Sequence, residues 1–325
     1  MVELPIQHTP TIELIYKGYS DRAKDFRRGH LGASVIGKEC SRALWYDFRW
    51  ASNPGFDARM LRLFEHGYKE EDRIVDNLRS VGITVYSRDP DSGGQINFKE
   101  EEFGHFSGSV DGIGINFPEA PKTWHIVECK TSSKKLYDKL VKEGVEKAKP
   151  QHYAQMQIYM RWAKLDRAFY IVCCKDDDRL YGERVYYDKQ FADNLVDKAR
   201  RIIYAELPLE KHGLSENSCD CKFCDHSELC WRCGFSLISC RTCSFSTPEI
   251  DGTWTCGRGG SKRVIGEFEQ KNACDWHIFI PELVPLMVIG FDPKTETIEY
   301  EGGIINGAEN IKSVDLEKFI NMKNI

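Results

Sequence analysis

No stretch of this 325-residue chain contains the roughly 20 consecutive apolar residues that a membrane-spanning helix needs. The best apolar run, residues 278–291, is interrupted by Glu282 and by two prolines. The first residues also lack the charged segment, the apolar core and the small-residue cleavage site of an export signal. We therefore expect a cytoplasmic protein with no membrane partner.

The sequence also lacks an excess of positive charge, internal repeats and low-complexity tracts. Its formal net charge is −5, which argues against a generally basic protein that coats nucleic acid. Hydrophobic residues make up 41% and charged residues 29%, a balance that excludes a disordered or collagen-like chain. The acidic excess lies beyond residue 200, so the first 200 residues are free to present a local basic surface.

Cysteine, in contrast, is abundant. The chain has 13 cysteines, an odd number, and most of them lie between Cys219 and Cys274. Because no export signal directs them to an oxidising compartment, we expect reduced thiols that are available to metal ions.

The apolar residues of segment 57–81 recur at the period of an amphipathic helix. Glu71 lies on that apolar stripe, where a carboxylate is costly unless a cation meets it. Other segments predict strands at 95–98, 105–117, 123–131, 168–174 and 183–187, and helices at 133–149, 151–163 and 189–206. This order predicts an α/β domain with a central mixed sheet flanked by helices.

Two neighbouring predicted strands carry acidic residues. Asp111 lies in the first, and the second contains Glu128, Cys129 and Lys130. Because side chains alternate along a strand, Glu128 and Lys130 share one face and Cys129 lies on the other. Paired carboxylates suit a hard divalent cation, and a neighbouring lysine can orient the attacking water. The alternative is an ordinary ion pair between Glu128 and Lys130 at a strand edge.

Four motifs resemble, in this order, those of the RecB-type branch of the PD-(D/E)xK nuclease superfamily: Gly67-x3-Glu71, GSVDG with Asp111, Glu128-Cys129-Lys130 and Gln155-x3-Tyr159. The resemblance implies that Mg²⁺ or Mn²⁺ is bound by Asp111 and Glu128, with Glu71 and the Cys129 carbonyl as further ligands. It implies that Lys130 assists hydrolysis and that Gln155 and Tyr159 contact DNA. Taken alone, the residues around Tyr159 predict a core aromatic.

The chain departs from that family in its early helix. Many RecB-type members have a histidine ligand at the position of Glu71. The glutamate of this chain resembles the lambda-exonuclease relatives, which have glutamate there. His66 is the second choice, because it lies five positions from Glu71 and faces elsewhere on the helix. Val110 stands where a proline often precedes the aspartate.

A first cysteine group combines Cys40 with Cys221-x2-Cys224-x5-Cys230. One cysteine before the nuclease core and three after it resemble the arrangement in the CRISPR-associated adaptation nuclease, which implies a [4Fe-4S] cluster. The alternative is zinc held by Cys221, Cys224, Cys230 and Cys233, with Cys219 as a further candidate ligand. Ser34 and Arg42 match a segment of the same nucleases, which implies that both contact DNA.

A second group, Cys240-x2-Cys243-x12-Cys256-x17-Cys274, predicts a zinc ribbon. His277 is an alternative to Cys274 as the fourth ligand. Cys256 and Cys274 are, in a third interpretation, merely buried thiols.

These observations predict a nuclease domain at 1–235, a zinc-ribbon-like module at 236–300 and a tail at 301–325. The expected function is that of a metal-dependent exonuclease that hydrolyses linear or single-stranded DNA, working with a recombination or repair protein. The alternative is a zinc-ribbon nucleic-acid-binding protein whose nuclease fold is inactive.

Overall fold

The computed structural model describes residues 9–23, 25, 27–53, 55–232 and 234–323. The helices are α1 (Pro10–Asp21), α2 (Ser41–Arg49), α3 (Ala58–Ser80), α4 (Lys134–Ala148), α5 (Pro150–Ala163), α6 (Lys189–Tyr204), α7 (Ser227–Trp231), α8 (Glu267–Asn272) and α9 (Ser313–Lys323). The strands are β1 (Leu31–Gly32), β2 (Thr84–Tyr86), β3 (Ile96–Lys99), β4 (Phe106–Val110), β5 (Gly112–Ile115), β6 (His125–Ser132), β7 (Arg167–Cys174), β8 (Leu180–Tyr186), β9 (Ser246–Pro248), β10 (Trp254–Cys256), β11 (Arg263–Val264), β12 (Val288–Asp292), β13 (Thr297–Tyr300) and β14 (Ile304–Asn306). No described helix has the length and apolar character needed to cross a bilayer.

A five-stranded mixed sheet in the order β2-β5-β6-β7-β8 contains the two longest strands, β6 and β7, whose residues are mostly buried. β6 and β7 run parallel, and the other pairs in this sheet are antiparallel. The parallel pair needs a long crossover connection, which α4 and α5 supply. The α/β class with a central mixed sheet, predicted from the sequence, is confirmed.

Helices cover both faces of the central sheet. Val75 of α3 belongs to one apolar cluster with Val127 and Cys129 of β6. Ile126, on the opposite face of β6, belongs to the cluster that contains Tyr159 of α5. Successive residues of β6 therefore alternate between a layer formed by α3 and a layer formed by α5.

The chain passes from one sheet to another at Asp111. β4 pairs with β1 and β3 in a separate three-stranded sheet, whereas β5 pairs with β2 and β6 in the central sheet. The single strand predicted over 105–117 is therefore two strands that meet at this residue. The bend places the Asp111 side chain at the junction of the two sheets.

Two small antiparallel sheets, β9–β11 and β12–β14, lie in the C-terminal part together with α8 and α9. Buried Trp254, Phe279 and Tyr300 belong to the same apolar cluster as the core around α5. The sheet β12–β14 continues past residue 300, where the sequence places the start of the tail. The two predicted domain boundaries, after residues 235 and 300, stay predictions.

Candidate active site and metal centres

β6 carries Glu128 and Lys130 on the face that α5 covers. The Glu128 side chain is fully buried, and the Lys130 ammonium forms an ion pair with its Oε1. The same ammonium lies 3.7 Å from Oδ2 of Asp111. Lys130 itself keeps 27% of its side chain exposed, so the group opens to solvent on the lysine side.

The β5–β6 pairing brings Asp111 to this group. Gly112 stands opposite Val127 in the antiparallel register, so Asp111 falls beside Glu128. The backbone amide of Cys129 donates a hydrogen bond of 2.8 Å to Oδ2 of Asp111. The carboxylate orientation is therefore fixed by the strand that carries the other two residues.

The electrostatics of the group are those of crowded carboxylates. Neither oxygen of Glu128 accepts a hydrogen bond of regular geometry among the described residues. Burial and the nearby Asp111 charge raise the pKa of Glu128 above its usual range. Burial opposes the charge of Lys130, but Glu128 and Asp111 raise its pKa well above the usual value. One ammonium thus faces several acids, and the buried carboxylate oxygens have capacity left for a divalent cation.

Glu71 approaches the same group from α3. Burial and the charge of Asp111 raise its pKa to about 7. The most buried acid of this helix is nevertheless the preceding residue, Glu70, whose Oε1 accepts from Arg73 at 2.7 Å. Glu71 is half-buried, and His66 is exposed. The structure thus places Glu71, rather than His66, in the electrostatic reach of the carboxylate pair.

Gln155 and Tyr159 share one face of α5 beneath the site. The Gln155 amide donates to the Tyr159 hydroxyl at 3.3 Å. Only 5% of Gln155 and 2% of Tyr159 is exposed. The Tyr159 ring packs so closely on Gly108 that an added Cβ there would lie 2.8 Å from the hydroxyl. Their contact with DNA remains a prediction, since burial leaves little of either side chain to offer.

His152 and Tyr170 form a polar pair that the sequence analysis missed. The Tyr170 hydroxyl lies 2.6 Å from Nδ1 of His152, and Tyr170 stands opposite Glu128 in the β6–β7 register. Burial and the charge of Lys130 lower the pKa of His152 to about 3, so this imidazole is neutral. The available sequence signal was the spacing of His152 three positions before Gln155, which places both on one helix face.

Arg42 and Ser34 lie outside the carboxylate group. Arg42 donates to the Tyr46 hydroxyl at 2.8 Å and to the Leu209 carbonyl at 2.7 Å. The Ser34 hydroxyl accepts from Arg28 at 2.9 Å. DNA binding by these two residues stays a prediction, and the geometry assigns Arg42 to the rim of a cysteine pocket.

The first cysteine group lines one pocket, which contains Cys40, Cys221, Cys224 and Cys230. The Cys40 thiol also caps α2, accepting from the Ala43 amide at 3.4 Å. Burial, and then the charges of Cys40 and other acids, raise the pKa of Cys224. Cys219 is exposed and is not among the residues that line this cavity, while Cys233 lies outside the described residues.

The second cysteine group lines another cavity, which contains Cys240, Cys243, Cys256 and Cys274. Burial and then Cys243 raise the pKa of Cys240 to about 12. His277 lines the same cavity, but its Nε2 already lies 3.2 Å from the Thr242 hydroxyl. Four thiols therefore surround one space, with a buried imidazole beside them.

A tighter grouping of possible ligand atoms occurs elsewhere. Within the described part of the chain, only Glu39, His212 and Asp220 bring three such atoms within 4.8 Å of one another, and all three are exposed. In neither cysteine group do the thiols therefore lie as close together as four thiolates around a single zinc ion. Their thiols must turn inward to hold one ion.

Comparison with known proteins gives matches among solved structures alone: no protein-family model and no curated protein matches the chain. The crystal structure of SSO0001 is 15% identical, with a TM-score of 0.43, and covers 69% of this chain and 98% of that chain. The alkaline exonuclease LHK-Exo from Laribacter hongkongensis is 16% identical, with a TM-score of 0.40, covering 58% and 90%. A phage-related exonuclease from Haemophilus somnus 129PT is 13% identical, with a TM-score of 0.38, covering 53% and 91%. Inference about function therefore rests on the residues of this chain.

Proposed function

We propose that this protein is a metal-dependent deoxyribonuclease, an exonuclease that hydrolyses phosphodiester bonds in linear or single-stranded DNA. The observation that carries the proposal is the buried Glu128 carboxylate, which lacks regular hydrogen bonds and lies with Asp111 around the Lys130 ammonium. A fully buried acid of this kind is costly to keep in a fold unless it binds something.

The residues fit a hard divalent cation such as Mg²⁺ or Mn²⁺. Asp111 and Glu128 would hold it, with Glu71 and the Cys129 carbonyl as further ligands, since all supply oxygen. When bound, the ion supplies Lewis-acid stabilisation of charge on the phosphate and activates water. Lys130 reaches this point from the solvent side, where its ammonium orients the water and offsets negative charge.

The DNA substrate is inferred from the motif resemblance. In this proposal Gln155 and Tyr159 support the strand near the cleaved bond, and Ser34 and Arg42 contribute contacts farther away. We place the protein in the cytoplasm, acting with a recombination or repair protein.

The cysteine groups are proposed to be structural. Cys40, Cys221, Cys224 and Cys230 would hold a [4Fe-4S] cluster, which the order and spacing of these cysteines imply through the resemblance to the iron-sulfur nucleases. The cluster would join the start of α2 to the segment after α6. Zn²⁺ is proposed for the second group, with Cys274 or His277 as the fourth ligand.

The experiment is a time course of degradation of labelled linear DNA with Mg²⁺ or Mn²⁺. The wild-type protein should degrade the DNA, Asp111→Ala should leave it intact, and Lys130→Ala should degrade it far more slowly than the wild type. Asp91→Ala, which alters an exposed acid in the turn after β2, is the control and should behave as the wild type. Binding without cleavage by the wild-type protein in either metal would instead favour a nucleic-acid-binding protein with an inactive nuclease fold.

A further inference from the structure

Two exposed aromatic side chains lie next to each other at one edge of the central sheet. Tyr86 ends β2, the edge strand, and Trp124 comes directly before β6. Their ring centres are 6.0 Å apart, and the ring planes are inclined by 36°. Tyr86 is 53% exposed and Trp124 is 39% exposed. Aromatic side chains that are exposed side by side, rather than singly, indicate a surface that binds something.

This aromatic pair lies on the face of the sheet that carries the candidate active site. Val85 belongs to the apolar cluster that α3 covers, so the next residue, Tyr86, points to the opposite face. Tyr86 stands opposite Ile113 of β5, and Ile113 stands opposite Ile126 of β6. Glu128 comes two positions after Ile126 and shares its face. Tyr86 and Glu128 are therefore on one face, two strands and two residues apart.

The chain that follows Tyr86 approaches Asp111. A Cβ added to Gly112 would lie 3.3 Å from the Tyr86 carbonyl oxygen. Arg88 comes two positions after Tyr86, where the same antiparallel register leads to Asp111. Burial and the Asp111 charge raise the pKa of Glu71 to about 7, and the charge of Arg88 opposes that rise. Arg88 therefore lies between the aromatic pair and the carboxylates.

Positive charges accompany the aromatic pair. Arg88 and Lys122 are exposed, and neither forms an ion pair within the part of the chain that the structure describes. Asp89 follows Arg88, and its carboxylate accepts three hydrogen bonds from the turn after it. Glu119, three positions before Lys122, is a further acid on this side. Because these acids offset part of the positive charge, the rings have to supply most of the affinity for a ligand.

An exposed aromatic surface next to a phosphodiester-cleaving site suits unpaired bases. Every base has a flat face that stacks on an aromatic ring, and cations beside the rings contact the phosphates. In a duplex the bases stack on one another, so their faces are covered. The two rings of the pair already contact each other, so a base would stack on their outer surface rather than between them.

We propose that Tyr86 and Trp124 form a base-stacking subsite for single-stranded DNA. The cleaved phosphate of the same strand would lie at Asp111 and Glu128, and Arg88 would contact a phosphate between the two places. This inference rests on the proposed function and adds the substrate class and the residues that hold it. Because stacking tolerates every base, the subsite should show little sequence preference.

The test measures equilibrium binding of a labelled thymidine oligonucleotide to proteins that carry Asp111→Ala, so that the DNA stays intact. Adding Trp124→Ala or Tyr86→Ala to this parent should weaken binding about tenfold, the loss expected for one stacked base. Trp124→Phe and Tyr86→Phe keep a ring and should retain most of the affinity. Tyr186→Ala removes a tyrosine that is 57% exposed at the opposite edge of the sheet, and this control should bind as the parent does.

An oligonucleotide of the same length with abasic sugars separates stacking from charge. The parent should bind it about tenfold more weakly than the thymidine oligonucleotide, and Trp124→Ala should cause no further loss. Arg88→Ala should weaken binding of both oligonucleotides and reduce the salt dependence of binding. A blunt duplex should bind equally to the parent and to Trp124→Ala.

Three results would overturn the subsite. The parent binds no single strand, Trp124→Ala and Tyr86→Ala bind the thymidine oligonucleotide as the parent does, or they lose the abasic oligonucleotide to the same extent. A change of oligomeric state in these variants with unchanged binding of DNA would instead assign the pair to a contact between two copies of the chain. DNA degradation by the wild type together with unchanged binding in both variants would refute the subsite alone. Binding that depends on the two rings without any degradation would refute the nuclease alone.

Discussion

The Cys129 amide donates a 2.8 Å hydrogen bond to Oδ2 of Asp111, across the strand pair β5–β6. The Cys129 side chain belongs to the apolar cluster that α3 covers. Its backbone amide, in contrast, orients the Asp111 carboxylate. The neighbouring Glu128 and Lys130 face that acid. The metal-binding geometry that we propose is thus a consequence of strand alternation and of one bend in the chain.

Lys130→Ala should lower the rate of DNA cleavage by about 10²–10³-fold, because it removes an electrostatic stabiliser at the reacting phosphate. Binding of DNA should change little, since one ammonium is a small part of the electrostatic contact. Single-turnover cleavage and equilibrium binding measure the two effects. Lys134→Ala, an exposed lysine at the start of α4, should leave both unchanged. Equal loss of binding and cleavage in Lys130→Ala would contradict the assigned role.

The stability of the metal-free protein should fall as the pH rises from about 6.5 to 8. Glu71 and Glu128 have pKa values raised from 4.5 to about 7 and about 8, so the folded state holds protons that the unfolded state has released. The stability that the protonated Glu71 and Glu128 contribute is fully present below pH 4.5, and it is lost as the pH rises through their pKa values of about 7 and about 8. Buried His105 and His277 act in the opposite direction, but only at lower pH, because their pKa values are about 4.

Mg²⁺ or Mn²⁺ should remove this pH dependence. At a metal concentration 100 times its Kd the stabilisation is about 2.7 kcal/mol, and Glu128→Gln should abolish it. Thermal unfolding at several pH values, with metal and with chelator, measures both effects. A flat stability profile between pH 6.5 and 8 in the metal-free wild type would contradict the raised pKa values of Glu71 and Glu128.

Cys40→Ser should yield a colourless protein with iron close to zero, whereas wild-type protein purified without oxygen should be brown with about four iron atoms per chain. Cys219 is exposed and lies outside the cavity that Cys40 lines, so Cys219→Ser should keep the iron. Elemental analysis and visible absorption give the answer. A colourless wild-type protein that contains zinc alone would refute the cluster.

Two glycines should respond to alanine in opposite ways. An alanine Cβ at Gly108 would meet the buried Tyr159 hydroxyl at 2.8 Å, so Gly108→Ala should destabilise the protein by about 1–3 kcal/mol. A Cβ at Gly67, within α3, meets nothing within 4 Å, so Gly67→Ala should stabilise it by about 0.5–1 kcal/mol. Denaturant unfolding separates the two. Loss of stability in Gly67→Ala would show that the open side of α3 is packed.

Local patterns predicted much of this arrangement. Alternation along β6 gave the common face of Glu128 and Lys130, and helical periodicity gave α3 within one residue at each end. The apolar stripe predicted Glu71 as the buried acid of α3, but Glu70 is the more buried of the two. Neighbouring helix positions differ by about 100°, and the sheet decides which one is covered. The bend at Asp111 was missed because its cause is the partner strands on either side, not a local residue.

Contacts between residues that are far apart in the sequence could not be predicted, because no local pattern marks either partner. Tyr170 and His152 meet between β7 and α5, and each alone resembles an ordinary strand or helix residue. Arg49 and Arg241 are 192 positions apart and look like surface charges in the sequence. Only the packing of the C-terminal part against α2 shows that both are buried.

Exonuclease activity is tested most directly by the release of label from linear duplex and single-stranded DNA marked at the 5′ or the 3′ end. In Mg²⁺ or Mn²⁺ the wild-type protein should release nucleotides progressively from one end. Glu128→Gln, or the wild-type protein with chelator, should leave the DNA intact. DNA that stays intact with wild-type protein and metal would contradict a nuclease, and cuts confined to internal positions would contradict an exonuclease.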